Sequence, residues 1–471
     1  MYKKLLFLSI IILLNGLTNT TALNLLVSVP QLAVVLYYMC SNKIEKAIFW
    51  HFIFFITSFT YYGDADTMES GLTLVSYNYA KLKFIGSIGY SNIVAIILFA
   101  LVLFRKHTNK SKTGPFFQFH KLIRYFLITG FGFGLIGFLF DHYYFEGLKT
   151  YGSYIIIIYI HTYILYKINS TILKKDLYEI ALPLLVLISI CTFLLNMINP
   201  EPLGGVSAGF YSFLLIPALL LNKKKLFILI GLFFAIYNSL FFSVSGKSII
   251  MLFLFTIITF FLTFNKNLKA SFFYRVIMFR VIVIICVILI PSIALIINEN
   301  FSGSTLISSK LYQVRTLMEF IFSLEGLKNV ATSPYIRITS FINILYEGIQ
   351  NPIILLFGKG YGGYFNDHFN FFSGLNLSNG AFSDDAIKSG DYYSGHDSLV
   401  TIPMFNGLIG FFLLLKVFVK YIKLSSKNYF ALSVIPFLLL AFYHDTLIGV
   451  TGVLLLFLST NGDSEKKKNK L

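Results

Sequence analysis

LYEIALPLLVLISICTFLLNM, residues 177–197, decides how this chain folds. Glu179 is its only charged side chain. A run of about 20 apolar residues is the length that carries an α-helix across the hydrocarbon core of a bilayer. No water is present there to satisfy a bare backbone, so a spanning segment of this composition has to be helical. Its flanks differ in charge: ILKKD (172–176) precedes it and NPEPLGG (199–205) follows it. The basic flank marks a cytoplasmic end, and the acidic, turn-forming flank an outer end.

Comparable runs lie on either side, at 5–21, 23–39, 47–62, 84–104, 121–140, 153–168, 206–221, 226–242, 248–264, 276–297, 397–415, 430–443 and 446–459. Together they predict an all-α polytopic membrane protein of about fourteen transmembrane helices. Composition agrees. The 471 residues are 56% hydrophobic and 13% charged, with a mean hydropathy of +0.76. A surface facing water could not be covered by so few polar side chains. MYKKLLFLSIIILLNGLTNTTALN, at the start, is basic and then apolar like a signal peptide, but lacks a small-x-small cleavage site and is expected to remain as the first helix.

The formal charge of +17 would point to nucleic acid in a soluble protein. Here the basic residues sit in short clusters between apolar runs, so no nucleic-acid partner is implied. With a cytoplasmic N-terminus, RKHTNKSK (105–112), ILKKD, NKKK (222–225), NKNLK (265–269), KVFVKYIKLSSK (416–427) and the tail EKKKNK (465–470) all fall on one side. GDADTMES (63–70), DHYYFEG (141–147), NPEPLGG and the long segment 298–395 fall on the other. That segment holds six Lys or Arg against eight Asp or Glu. Both termini are therefore expected in the cytoplasm. The chain divides into transmembrane helices over 1–297, a large outer loop over 298–395, further helices over 396–460 and a basic cytoplasmic tail over 461–471.

Loops as long as 298–395 are usually functional. NILYEGIQNPIILLFGKGYGGYF (343–365) combines a helical pattern with a glycine-rich turn, and SGLNLSNGAFSDDAIKSGDYYSG (373–395) reads as mobile. The glycines of GKGYGG do not form a P-loop, which needs G-x-x-x-x-G-K-[ST]. Cys40, Cys191 and Cys286 lie in or beside apolar runs without metal-ligand spacing, and no metal or cofactor is expected.

RITSFINILYEGIQNPIILLFGKGYGGYF (337–365), followed by SGHDSLVTIPMFNGLIGFF (394–412), carries a further pattern. An Arg opens a loop helix, a Pro precedes a G-x-G turn, and a His precedes two glycines in the next helix: Arg337, Pro352, Gly358, Gly360, Gly362, His396, Gly407 and Gly410. In this the chain resembles the O-antigen polymerase and O-antigen ligase superfamily. The likeness covers about 226–420, and elsewhere rests on the number of helices. Lys247 in FFSVSGKSIIML stands where the family has an Arg, and Asp397 follows His396 where Asn is frequent.

The resemblance implies a glycosyltransferase-C-like architecture with one partly helical periplasmic loop in a bacterial inner membrane. It implies a substrate of saccharide repeat units on an undecaprenyl diphosphate carrier, with membrane lipid and a chain-length regulator protein as further partners. The carrier's diphosphate needs cations at the outer membrane edge, and Lys247, Arg315 and Arg337 fall on that side. A Lys keeps the charge of an Arg without its two-pronged geometry. His396 is the expected general base, taking a proton from the attacking sugar hydroxyl. His444 and Asp445 form a second polar pair in an outer turn and are acceptor-side candidates, as is Tyr361. Tyr364, Tyr392 and Tyr393 are further candidates for stacking on sugar rings. Each has a plainer reading: interfacial Lys and Arg snorkel to headgroups, a His can cap a loop, and turns favour Asp.

Three functions compete on these residues. A polymerase transfers the glycan to the next lipid-linked unit, and a ligase transfers it to lipid A core. A lipid-linked oligosaccharide flippase needs no base, but would show charges inside several spans and a repeat between halves. Neither feature is evident in the sequence.

Overall fold

A computed structural model describes residues 2–17, 21–58, 60–61, 79–80, 83–85, 88–105, 114–140, 143–168, 170–198, 203–204, 214–221, 225–238, 312, 316, 320, 327, 330, 332–375, 377, 382, 384–393, 398–424 and 450–460. The expected spans at 248–264, 276–297 and 430–443 lie outside the described residues, as do Lys247, Arg315, His396, Asp397, His444 and Asp445.

The described chain is predominantly helical: α1 Tyr2–Leu17, α2 Thr21–Cys40, α3 Ile44–Ile56, α4 Tyr90–Phe104, α5 Pro115–Phe140, α6 Ser153–Ile168, α7 Thr171–Ile198, α8 Leu215–Leu221, α9 Lys225–Tyr237, α10 Thr332–Gln350, α11 Pro352–Phe357, α12 Asp384–Ser389, α13 Ser398–Leu424 and α14 Val450–Ser459. Among the described residues, three helices are long and apolar enough to cross a membrane, over Pro115–Phe140, Thr171–Ile198 and Val400–Tyr421. Shorter apolar helices accompany them, including Tyr90–Phe104 and Ser153–Ile168. Leu26, Phe104, Leu139, Phe140 and Leu226 are largely exposed. Large apolar side chains presented outward in such numbers need lipid as their solvent.

Several boundaries differ from the apolar runs. α7 starts at Thr171, so the basic stretch 172–176 is its first turn and not a connection. Ser170 caps it, its Oγ accepting from the Leu173 N–H at 3.3 Å. The run 84–104 becomes helical only at Tyr90, because Lys83–Ile85 pairs antiparallel with Ile88–Gly89. Hydropathy does not register the Gly86-Ser87 dipeptide between those strands, which favours a hairpin. α3 ends at Ile56, and Thr60–Tyr61 pairs with Leu203–Gly204. α13 runs on to Leu424, through most of the basic stretch 416–427.

α7 packs against α1 and α9, α6 against α4 and α5, and α5 against α13. A buried polar chain ties α3 to α6. His51 Nε2 lies 3.0 Å from His161 Nε2, His51 Nδ1 lies 2.8 Å from the Tyr79 hydroxyl, and His161 Nδ1 lies 2.7 Å from the Ile157 carbonyl. Since a carbonyl only accepts, His161 holds its proton on Nδ1, His51 on Nε2, and Tyr79 donates to His51. Each polar atom of the chain is thereby satisfied within an apolar bundle.

α13 is interrupted. Gly407 has φ 65° and ψ −176°, a backbone state open to glycine, and Pro403 stands one turn before it. Irregular backbone at membrane depth persists where protein covers it. The cover is α11 and the turn that follows. A Cβ on Gly407 would lie 2.2 Å from the Leu356 carbonyl oxygen.

Candidate functional site

The turn Gly358–Gly363 reaches in between α5 and α13. α11 before it is short for local reasons. Asn351 caps its start, accepting from the Ile353 N–H at 3.2 Å, Pro352 fits the first position, and Gly358 at φ 81° ends it. The Lys359 and Gly360 N–H groups then donate to the Met404 and Phe405 carbonyls of α13 at 2.6 and 3.1 Å. The turn thus supplies donors beside the interruption at Gly407. On its other side the Tyr361 N–H donates to the Gly130 carbonyl at 2.8 Å, and the Tyr361 hydroxyl to the Phe126 carbonyl at 3.1 Å. Asn406 joins them, its Nδ2 reaching the same Phe126 carbonyl at 3.1 Å and Thr129 Oγ1 at 2.8 Å. Gly360, at φ 80°, approaches so closely that a Cβ would stand 2.0 Å from the Gly134 nitrogen.

α10 leads into this turn. Arg337, Ser340, Asn343 and Glu347 recur every three or four residues and form a polar stripe on a helix that packs on α11 and α13. Arg337, near the helix start, is half-buried. Glu347, near its end, is the hub of a cluster. Its Oε2 lies 2.8 Å from Lys359 Nζ, with 11% and 16% of the two side chains exposed. Its Oε1 accepts from the Asn366 N–H at 2.9 Å and lies 2.8 Å from His368 Nε2. Lys359 also donates to the Tyr364 carbonyl and stands over the Tyr364 ring.

The described residues after the turn are folded, where the sequence reads as mobile over 373–395. Phe365–Asn366 pairs antiparallel with Asp391–Tyr392, α12 lies beside the second strand, and Phe365, Phe372, Phe382 and Tyr392 bury their rings together. Asp367 accepts the N–H groups of Phe371 and Phe372 at 3.0 and 2.7 Å and the Asn343 side chain at 3.1 Å. Burial, and then the Asp367 charge, raise the phenols of Tyr335 and Tyr392 above their ordinary value.

Of the expected site residues, Arg337 and Tyr361 lie among the described ones. Tyr361 is 2% exposed and packs against Gly130, so its ring is a wedge between helices and is not offered to a sugar. Tyr392 is buried as well, whereas Tyr364 and Tyr393 are half-buried. Sequence reading passed over Glu347, Lys359 and His368. The polar stripe of α10 was the available signal for Glu347, but nothing local ties it to residues beyond the turn.

The fold defines a helical protein whose exposed apolar helices belong in a membrane. No protein-family model, curated protein or solved structure matches the chain.

Proposed function

We propose that this protein is a glycosyltransferase of the bacterial inner membrane, a polymerase of lipid-linked polysaccharide repeat units. In this reading it has about fourteen spans, cytoplasmic termini and a periplasmic site. The observation that carries the reading is the convergence of the motif residues. Arg337 stands on the helix that leads into Pro352, and the turn of Gly358, Gly360 and Gly362 is hydrogen-bonded to α13 beside Gly407. Glycines dispersed through an apolar sequence would have no reason to meet in one unit.

The reaction needs no metal or cofactor. A hydroxyl of the acceptor repeat unit attacks the anomeric carbon of the growing glycan. A new C–O bond forms, the bond to undecaprenyl diphosphate breaks, and the diphosphate leaves with the electron pair. The hydroxyl proton passes to His396. Arg337, with Lys247 and Arg315, stabilises the charge that grows on the diphosphate. Displacement from the opposite face inverts the anomeric centre. His444 and Asp445 remain acceptor-side candidates.

The surface-glycan ladder of a deletion strain tests the reading. Wild type restores the ladder, and His396→Ala, at equal membrane level, leaves a core-plus-one-unit band. If the variant instead accumulates long lipid-linked glycan with nothing attached to core, the protein is a ligase. Lipid-linked units trapped in the cytoplasmic leaflet of the deletion strain, and carried to the outer leaflet by wild type and His396→Ala alike, would favour a flippase.

A further inference from the structure

We propose that Tyr346, His368 and Phe369 form a saccharide-binding subsite, with His368 oriented by Glu347 and separate from the place where the diphosphate is held. This rests on the polymerase reading and adds to it where the glycan lies.

The argument starts from His368. A carboxylate accepts hydrogen bonds and donates none, so with its Nε2 2.8 Å from Glu347 Oε1 the ring carries its proton on Nε2. Nδ1 is left as an acceptor, and no hydrogen-bond partner faces it among the described residues. The side chain is 32% exposed. Glu347 does not require His368, because Lys359 and the Asn366 N–H already meet its two oxygens. Its other effect is to fix the tautomer and the plane of the ring, as an orienting carboxylate does for imidazoles that must present one nitrogen. The Asn343 side chain adds to the fixing, its Oδ1 accepting the His368 N–H at 3.1 Å.

Two further rings form a cluster with that of His368. Tyr346 lies 5.2 Å from the His368 ring and 5.0 Å from that of Phe369, centroid to centroid. Tyr346 is 37% exposed and Phe369 46%. Exposed aromatic faces beside a fixed acceptor suit a sugar: its apolar face covers a ring, and a hydroxyl donates to Nδ1. Asp367 next door is engaged with the turn it caps and with Asn343.

α10 sets the spacing. Arg337 and Glu347 are ten positions apart on one helix, about 15 Å along its axis. A carrier diphosphate held at Arg337 leaves its sugars to run along α10 toward His368. The subsite therefore grips units some way from the reacting bond, and His368 is a binding residue with Glu347 as its positioning residue.

The probe for the test is the lipid-linked saccharide that accumulates in a deletion strain, together with the free saccharide released from it by mild acid and labelled with a fluorophore. Binding is measured by anisotropy to the full-length protein in nanodiscs. Wild type is expected to bind the free saccharide, and His368→Ala and Phe369→Ala to weaken it about tenfold, a loss of roughly one hydrogen bond or ring contact. Arg337→Ala should leave binding of the free saccharide within twofold. His368→Asn, whose side-chain oxygen can accept near the position of Nδ1, should recover part of the loss and separates the role from mere folding. Equal affinity in wild type and His368→Ala overturns the subsite. So does an equal loss in Arg337→Ala, or failure of wild type to bind the free saccharide while it consumes the lipid-linked form. Absence of any accumulated lipid-linked saccharide overturns the polymerase reading itself, and this inference with it.

Discussion

The Glu347 carboxylate and the Lys359 ammonium meet at 2.8 Å, joining the end of α10 to the glycine turn with little of either side chain exposed. Breaking such a pair leaves an uncompensated buried charge, whereas replacing both partners removes the problem. Lys359→Met should therefore destabilise the protein by about 3–5 kcal/mol. The double variant Lys359→Met/Glu347→Leu should cost less than the sum of the two single changes. Thermal unfolding midpoints in detergent check both statements. A midpoint unchanged by Lys359→Met would show that the pair is not formed.

Gly360→Ala and Gly132→Ala make an informative contrast. The first places a Cβ 2.0 Å from the Gly134 nitrogen at a residue with φ 80°, while the second, inside α5, meets nothing within 4 Å. A left-handed backbone alone costs an L-residue about 1–2 kcal/mol, and here backbone blocks relief of the clash. Alanine in a helix interior gains up to about 1 kcal/mol over glycine. Gly360→Ala should lower both membrane level and melting temperature, and Gly132→Ala should hold or raise them. Equal behaviour of the two would mean that the turn does not insert between α5 and α13.

The Phe126 carbonyl accepts from both Tyr361 and Asn406. Hydrogen bonds between helices in a membrane are worth about 0.6–2 kcal/mol each. Tyr361→Phe and Asn406→Leu should each destabilise by about that amount, and a double-mutant cycle should give a non-zero coupling because they share one acceptor. Strict additivity in unfolding measurements would argue against the shared carbonyl.

Much of the architecture was legible because lipid imposes a simple rule on composition. The runs at 121–140 and 153–168 are helical in α5 and α6, and the cap, proline and glycine that delimit α11 can be read directly from NPIILLFG. Helix ends were less legible. An apolar run records where lipid lies and not where the helix begins, so α7 extends back through Lys174 and Lys175 to its Ser170 cap. The candidate site was legible only along the chain. Arg337 and the glycines could be picked out, but the pairing of Phe365 with Tyr392 and the contact of Glu347 with His368 are non-local. No periodicity announces them. Tyr361, an acceptor-side candidate in the sequence, is buried with its ring against Gly130 of α5, a contact between segments far apart in the chain.

The central claim is transfer from a lipid-linked diphosphate served by Arg337, and reconstitution tests it most directly. Purified protein in liposomes is given lipid-linked repeat units extracted from the deletion strain, and glycan length and released undecaprenyl diphosphate are followed together. The account predicts that wild type lengthens the glycan and releases one diphosphate carrier per bond formed. Arg337→Ala, inserted at the same level, should do neither, and Arg337→Lys should recover only part of the rate, since an ammonium lacks the planar fork. Normal lengthening by Arg337→Ala, or no carrier release by wild type, would contradict it.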